Sequence, residues 1–225
     1  MIEYDRKCEI RNCAASFLLK QPVLYQVFDI RDMILPDHII LSSFSDYAKI
    51  IGINPSRLHA DTKLLDGYTV RYNNFYIILY DADYESQCPQ RLRFSLAHEL
   101  GHVMLEHHTD SAIEEEEANY YASQVVAPDC IVLPVLTCNR QHDISVVREH
   151  LCVSWETASI KVSQVNRNVK SYSKTEILLN QRYYKEANHR FYRRNKFQSN
   201  SLILNMEADD LKDQAYKPCG TCKTR

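Results

Sequence analysis

The sequence of 225 residues lacks any apolar run that approaches the roughly 20 residues of a membrane-spanning helix. It therefore predicts a soluble protein. Its formal net charge is only −2, which favours neither nucleic acid nor an anionic membrane surface as a partner. The length suits one domain of moderate size with appendages, and it is sufficient to bury a hydrophobic core.

A secretion signal is also lacking, because the first residues, MIEYDRKCEIRNC, are charged and contain no apolar stretch. The eight cysteines form no regular framework and occupy positions 8, 13, 88, 130, 138, 152, 219 and 222. Both observations predict a cytoplasmic protein with reduced thiols and no disulfide bonds.

The segment 91–108, RLRFSLAHELGHVMLEHH, contains no proline and places apolar residues on both sides of an H-E-x-x-H motif. This pattern predicts a buried helix. His98 and His102 are four residues apart on it, so they project from one face and can bind one small cation, for which zinc is the natural candidate. Glu99 lies beside the first histidine and is predicted to act as general base by taking a proton from a zinc-bound water.

Chance is the alternative explanation of this motif, because about one in fifty chains of this composition would contain an H-E-x-x-H at random. The apolar flanks argue against chance. The small Gly101, where a helix or a ligand can approach closely, and the acidic helix predicted downstream also argue against it.

The acidic helix is predicted to begin near Ser111 and to end at Pro128. It opens with four glutamates in succession, Glu114–Glu117. Such a run is usually a solvated helix N-terminus that the helix dipole favours, and we expect this for at least two of the four.

Glu115 is the candidate third metal ligand. It shares a helix face with Asn119, Ala122 and Val126, and this face is expected to point towards the first helix. Glu114 and Glu117 remain alternatives within the run. Asn119 is predicted to orient the ligand carboxylate.

Two β-rich runs precede the motif, GYTVRY at 67–72 and FYIILY at 75–80, and the turn-forming pair Asn73-Asn74 joins them. They predict a hairpin. Its edge could bind an extended peptide by strand addition, or the hairpin could only support the core. Upstream, residues 12–31 suggest a helix interrupted near Pro22, and a further helix is predicted after Pro36, with an apolar face over 39–51.

Residues 144–162 are predicted to form a helix, a short turn and a second helix, with Ser154 as N-cap. Such a pair can bind DNA, but packing on the core is favoured because the second helix carries only Lys161 as a basic residue. From Asn166 onward the chain becomes basic and aromatic, and a solvated helical extension over 175–194 is preferred to a nucleic-acid site. A lone C-x-x-C, Cys219 and Cys222, is half of a zinc site at most.

The two helical motifs resemble those of the ImmA/IrrE metallo-endopeptidases, which pair R-F-T-L-A-H-E-L-G-H with E-x-E-A-N-x-F-A-x-x-L-M-P. The matching stretches are RFSLAHELGH at 93–102 and EEEANYYA at 115–122. The resemblance implies a mainly helical α+β fold of the minimal zincin-like type, with a small sheet or hairpin before the H-E-x-x-H helix. It also implies zinc bound by His98, His102 and Glu115, and a site-specific cut in a helix-turn-helix repressor of a mobile element or phage.

We therefore expect a peptidase core over 1–135, a helix-turn-helix-like element over 136–168 and a C-terminal extension over 169–225. The predicted function is zinc-dependent peptide hydrolysis with Glu99 as base, and Tyr120 and Tyr121 are candidate oxyanion groups. The alternative is a non-catalytic zincin-like regulator that binds DNA or a protein partner. An intact Glu99 disfavours it, because a structural zinc site needs no base.

Overall fold

The structure is a computed structural model that describes residues 2–24, 29–54, 67–82, 89–109, 111–138, 144–168 and 171–198. Helices predominate in these ranges. The α-helices that they contain are α1 (Tyr4–Leu19), α2 (Phe44–Ile51), α3 (Pro89–Met104), α4 (Ala112–Val126), α5 (Asp129–Cys138), α6 (Ile144–Leu151), α7 (Trp155–Asn168) and α8 (Lys174–Gln198). Among the described helices, none combines the length and the apolar character that crossing a membrane requires.

A small three-stranded sheet lies beside α3. Its strands are β1 (Ile39–Ser43), β2 (Gly67–Tyr72) and β3 (Phe75–Tyr80), and their order across the sheet is β1-β3-β2. The predicted hairpin is confirmed, since β2 pairs antiparallel with β3. Asn73 adopts a left-handed backbone with φ of 52° in the turn, a conformation that asparagine tolerates better than most residues.

The helix predicted after Pro36 is wrong in its first part. Residues 39–43 form β1, which pairs in parallel with β3, and only Phe44–Ile51 are helical. Ile39 is buried and Ile40 is exposed, an alternation that suits a strand at the border of a sheet. The helix predicted over 12–31 is also corrected, because α1 begins at Tyr4 and ends at Leu19.

Helices α3 and α4 cross at Gly101, and this crossing brings the two sequence motifs together. A Cβ atom on Gly101 would lie 3.2 Å from Cα of Ala118 and 3.1 Å from Cδ1 of Tyr121. Glycine permits this separation of the helices, because a side chain here would require the neighbouring atoms to shift by a few tenths of an ångström.

The other helices enclose this pair. Helix α1 packs against α4 and α8, whereas α5 contacts α6, α7 and α8. Their inward side chains form one hydrophobic core with those of α3 and α4. Its fully buried members include Ile10, Leu18, Leu92, Leu96, Leu100, Val125, Ile131, Val147 and Leu179. The α+β arrangement predicted from the sequence, mainly helical with a small sheet before the H-E-x-x-H helix, is therefore confirmed.

Two buried ion pairs link helices that are distant in the sequence. Arg11 of α1 lies 2.9 Å from the carboxylate of Glu176 in α8, and Lys161 of α7 lies 2.9 Å from Asp129 at the start of α5. Each pair is almost inaccessible to solvent. Removing one partner would leave a buried charge uncompensated, which typically costs about 3–5 kcal/mol.

Candidate metal centre

Three candidate ligand atoms converge between α3 and α4. His98 and His102 project from α3 one turn apart, and Glu115 reaches them from the first turns of α4. The Nε2 atoms of the histidines are 3.0 Å apart, and Glu115 Oε atoms lie 3.4 Å from His98 Nε2 and 3.3 Å from His102 Nε2. These are the residues that the sequence singled out as candidate ligands, and they are the one such cluster of three among the described residues.

The separations suit a tetrahedral zinc ion. Ligand atoms at 2.0–2.2 Å from zinc lie roughly 3.3–3.5 Å from one another in a tetrahedron. The distances from Glu115 to the two imidazoles, 3.4 and 3.3 Å, fall in this range, and the 3.0 Å between the imidazoles is shorter. The donor set, two imidazoles and a carboxylate, is also one that zinc commonly takes in hydrolytic sites, where a fourth position stays open. The residues present therefore fit a zinc ion.

The hydrogen bond of His98 supports this fit. Its Nδ1 lies 3.0 Å from the amide oxygen of Asn119, which can only accept, so Nδ1 carries the proton and Nε2 presents a lone pair. Asn119 was predicted to orient the carboxylate of Glu115. Its observed contact is with the imidazole of His98 instead, because the asparagine lies one turn further along α4 and faces the first histidine.

His102 is held by a different partner. Its Nδ1 lies 3.1 Å from Nδ1 of His107, and Nε2 of His107 lies 3.2 Å from the carboxylate of Glu117. Arg6 of α1 donates two hydrogen bonds to that carboxylate, at 2.9 and 2.6 Å, and lowers the pKa of Glu117. Burial lowers the pKa of His102, which favours the neutral imidazole that a metal ligand requires.

Glu99 points into the space beside the three ligands. The hydroxyl of Thr69 on β2 donates a 2.6 Å hydrogen bond to its Oε2. Burial raises the pKa of Glu99, and the hydrogen bond from Thr69 opposes this rise because it stabilises the ionised carboxylate. A carboxylate with a raised pKa beside a candidate metal site is suited to general base catalysis.

These groups open into a cleft of about 470 Å³ between β2, α3 and the start of α4. Residues of β2 and of the loop after α3 both line it. The lining residues are Gly67, Tyr68, Thr69, Arg71, Tyr76, His98, Glu99, His102, Val103, His107, His108, Thr109 and Glu115.

The other glutamates of the run have different partners. Glu114 accepts hydrogen bonds from Thr109 and from the backbone N–H groups of the preceding loop, and these lower its pKa to about 2. Glu117 faces Arg6 and His107, and Glu116 is exposed. Of the three alternatives for the third ligand, only Glu115 lies against both histidines.

The two candidate oxyanion groups do not reach the cleft. Tyr121 is fully buried against Gly101. Tyr120 packs near α1, where Lys7 lies 5.6 Å from its ring centre. Neither tyrosine lines the cleft, because residues 120 and 121 follow Glu115 by more than one helical turn and point to other faces of α4.

The helix pair predicted over 144–162 is present as α6 and α7. Ser154 caps α7 by accepting a hydrogen bond from the Thr157 N–H, as expected. Lys161, the one basic residue of the predicted second helix up to residue 162, is 4 % exposed and paired with Asp129, so it is not available to contact a phosphate. The C-x-x-C pair at 219 and 222 lies outside the described residues.

A family model for the IrrE N-terminal-like domain, Peptidase_M78, matches residues 26–163. This range is more than half of the chain and contains both motifs, the hairpin and the helices up to most of α7. Comparisons with curated proteins and with solved structures gave no match.

Proposed function

The chain belongs to the IrrE N-terminal-like family, Peptidase_M78, and from that premise we propose that it is a zinc-dependent endopeptidase. The observation that carries the proposal is the cluster of His98, His102 and Glu115, whose ligand atoms lie within 4.8 Å of one another. Glu99 shares the same cleft, so a base is present beside the proposed metal.

The proposed roles follow from the positions of the side chains. His98, His102 and Glu115 would hold the zinc, which when bound supplies Lewis acidity that lowers the pKa of water and polarises a carbonyl. Glu99 accepts a proton from the attacking water and returns it to the leaving amine nitrogen. Thr69 holds the carboxylate of Glu99 in place by its 2.6 Å hydrogen bond.

Strand β2 is the proposed substrate platform. It is an edge strand of the sheet, since within the described residues it pairs only with β3. Gly67, Tyr68, Thr69 and Arg71 of this strand line the cleft. An extended peptide that pairs with this edge would pass over the candidate metal centre, and backbone hydrogen bonds would hold it with little dependence on its sequence.

We infer from the resemblance noted above that the substrate is a regulatory protein, namely a helix-turn-helix repressor of a mobile element or phage. An open cleft beside an exposed edge strand suits a segment of a protein better than a small molecule. The proposed reaction is a single cut in an extended segment of that repressor.

The competing function is a non-catalytic regulator that binds DNA through α6 and α7. The burial of Lys161 weighs against it, because DNA binding relies on exposed basic side chains that contact phosphates. The presence of Glu99 in the cleft also favours hydrolysis, since a metal kept only for structure needs no adjacent base.

The proposal is tested with the full chain and a helix-turn-helix protein encoded in the neighbouring reading frame. We expect about one zinc per purified chain, and cleavage of the partner into two fragments that a chelator stops and added zinc restores. His98→Ala and His102→Ala are expected to lose most of the metal, whereas a double variant of Cys219 and Cys222 keeps it. A native chain that holds no zinc, or that loses it only in the cysteine variant, would contradict the proposed centre.

A further inference from the structure

At the C-terminal end of α3 the chain reverses direction and forms hydrogen bonds with the last turn of the helix. The N–H of His107 donates to the carbonyl of His102 at 2.9 Å, and the N–H of Glu106 donates to the carbonyl of Val103 at 3.2 Å. These two bonds form a Schellman cap, with Glu106 in the left-handed position at φ of 57°. Glycine usually occupies that position, so the cap is adopted here at some cost in backbone strain.

The cap places the imidazole of His107 beside that of His102. Their Nδ1 atoms are 3.1 Å apart, and the His107 side chain is only 5 % exposed. The second nitrogen of His107 lies 3.2 Å from Glu117 Oε2. Arg6 donates a hydrogen bond to each oxygen of Glu117. Arg6, Glu117, His107 and His102 therefore form one continuous row of hydrogen-bonded side chains, which links α1, α4 and the C-terminal end of α3.

Only one arrangement of protons satisfies this row when His102 binds a metal through Nε2. The neutral imidazole of His102 then carries its proton on Nδ1, which donates to Nδ1 of His107. His107 therefore holds its own proton on Nε2 and donates it to Glu117, an acceptor that Arg6 fixes in place. Each donor in the row meets an acceptor.

We propose that Arg6, Glu117 and His107 are positioning residues that hold His102 with its Nε2 lone pair directed at the metal. Partners that fix the free nitrogen of a ligating histidine set its tautomer and its ring orientation. Helix α1 lies outside the residues matched by the family model, so the N-terminal helix contributes to the metal centre through Arg6. The inference rests on the proposed zinc centre.

The zinc affinity of His107 variants of the full chain tests the proposal. His107→Phe keeps an aromatic ring in the buried position but cannot accept a proton, and we expect its zinc affinity to fall about 10-fold to 100-fold. His107→Gln retains an acceptor oxygen and a donor nitrogen, and it is expected to recover part of that loss. Zinc affinity is measured by competition with a chromophoric chelator, and the thermal midpoint of the metal-free protein is measured in parallel.

The NMR resonance of the proton on His102 Nδ1 provides a second test. A loss of packing alone would not change this resonance in the way that the proposal predicts. In the zinc-loaded native chain it is expected to give a slowly exchanging downfield proton resonance, since His107 accepts it and shields it from water. The resonance is expected to disappear in His107→Phe and to remain in His107→Gln. Its persistence in His107→Phe would overturn the proposal.

Arg6 provides a partly exposed position whose substitution leaves the core intact. Arg6→Gln is expected to weaken zinc binding less than His107→Phe does, because Glu117 stays in place but loses its anchor. The matched control is Glu9→Ala, which removes the other carboxylate that Arg6 contacts, at 3.0 Å, and leaves the bond to Glu117. We expect it to bind zinc as the native chain does.

The outcomes separate this proposal from the proposed function. A native chain that binds no zinc contradicts the metal centre itself. A native chain that binds zinc while His107→Phe and Arg6→Gln bind it equally well refutes the positioning row and leaves the metal centre standing. Equal losses in Glu9→Ala and Arg6→Gln would also refute it, because they would trace the effect to α1 in general.

Discussion

Thr69 of β2 donates a 2.6 Å hydrogen bond to Glu99 of α3, across the junction of the sheet and the helix that carries the candidate metal ligands. The contact fixes Oε2 of the carboxylate. It also links the proposed substrate platform to the proposed base, since Thr69 belongs to the edge strand that lines the cleft.

Replacing Thr69 with valine is expected to lower the rate of hydrolysis on the order of 10-fold at neutral pH without loss of zinc. Burial raises the pKa of Glu99, and Thr69 holds it down by stabilising the charged form, so the substitution raises it further. The base must be ionised to accept a proton. The acidic limb of the pH–rate profile is therefore expected to move to higher pH.

Thr69→Ser is the control for this prediction, because serine keeps the hydroxyl donor and removes only a methyl group. It is expected to restore the native profile. A Thr69→Val variant whose acidic limb coincides with that of the native chain would show that the hydrogen bond does not govern the base.

Glu115 and Glu116 are adjacent in sequence but differ in their surroundings, and this difference gives the second prediction. Glu115→Ala is expected to reduce zinc affinity sharply, because its carboxylate lies 3.4 and 3.3 Å from the two imidazoles. Glu116→Ala is expected to change it little, since that side chain is exposed. Zinc titration with a competing chelator measures both, and equal losses would exclude Glu115 as a specific ligand.

The third prediction concerns Gly101, where α3 and α4 are in close contact. Alanine there would place its Cβ 3.2 Å from both Cα and the carbonyl oxygen of Ala118, and these backbone atoms cannot yield without moving a helix. We expect Gly101→Ala to destabilise the fold by about 1–3 kcal/mol. Because α4 carries Glu115, the same shift is expected to weaken zinc binding.

Chemical denaturation with and without zinc measures both effects of Gly101→Ala. Ala97→Gly on the same helix is the comparison, since it removes a buried methyl group without forcing α4 away. It is expected to lower stability while leaving zinc affinity closer to the native value. A Gly101→Ala chain as stable as the native one would show that the helices have room to separate.

The central part of this site could be predicted from the sequence because its signals are local. The spacing of His98 and His102 fixes their common face on any α-helix. The periodicity of α4 favours Glu115, but it leaves Glu114 and Glu117 as alternatives. The hairpin was predictable for the same reason, since its two β-rich runs and the Asn73-Asn74 turn lie within fourteen residues, 67–80.

The errors have a common physical cause, which is pairing between distant segments. The sequence pattern predicts residues 39–43 to be part of an apolar helix. They form a strand instead, because they pair in parallel with β3, which lies more than thirty residues later in the chain. A short apolar run has no periodicity that distinguishes a strand from a buried helix. The sequence alone therefore could not decide it.

The partners of the site were missed for a related reason. Arg6 and Glu117 are 111 residues apart in the chain, and Thr69 and Glu99 are 30 apart, so no motif connects them. His107 offered a weak local signal, because it follows His102 by five residues, beyond the end of α3. Only the left-handed cap at Glu106 brings the two rings together, and glutamate does not predict that conformation.

The fourth prediction decides between the enzyme and the non-catalytic regulator. Glu99→Gln is expected to retain zinc and fold, because Glu99 is not one of the three clustered ligand residues and the amide oxygen of glutamine still accepts the hydrogen bond of Thr69. An amide cannot take a proton from water at neutral pH. Hydrolysis is therefore expected to fall about 100-fold to 10,000-fold while the partner protein still binds.

The measurement compares new protein N-termini in cells that produce the native chain, Glu99→Gln or Glu116→Gln. The native chain and Glu116→Gln, whose carboxylate is exposed and outside the cleft, are expected to generate the same cleaved products. Glu99→Gln is expected to generate none and to leave the repressor intact and its genes silent. If Glu99→Gln derepressed those genes as fully as the native chain while exposed substitutions on α6 and α7 abolished the response, binding through these helices would replace hydrolysis as the function.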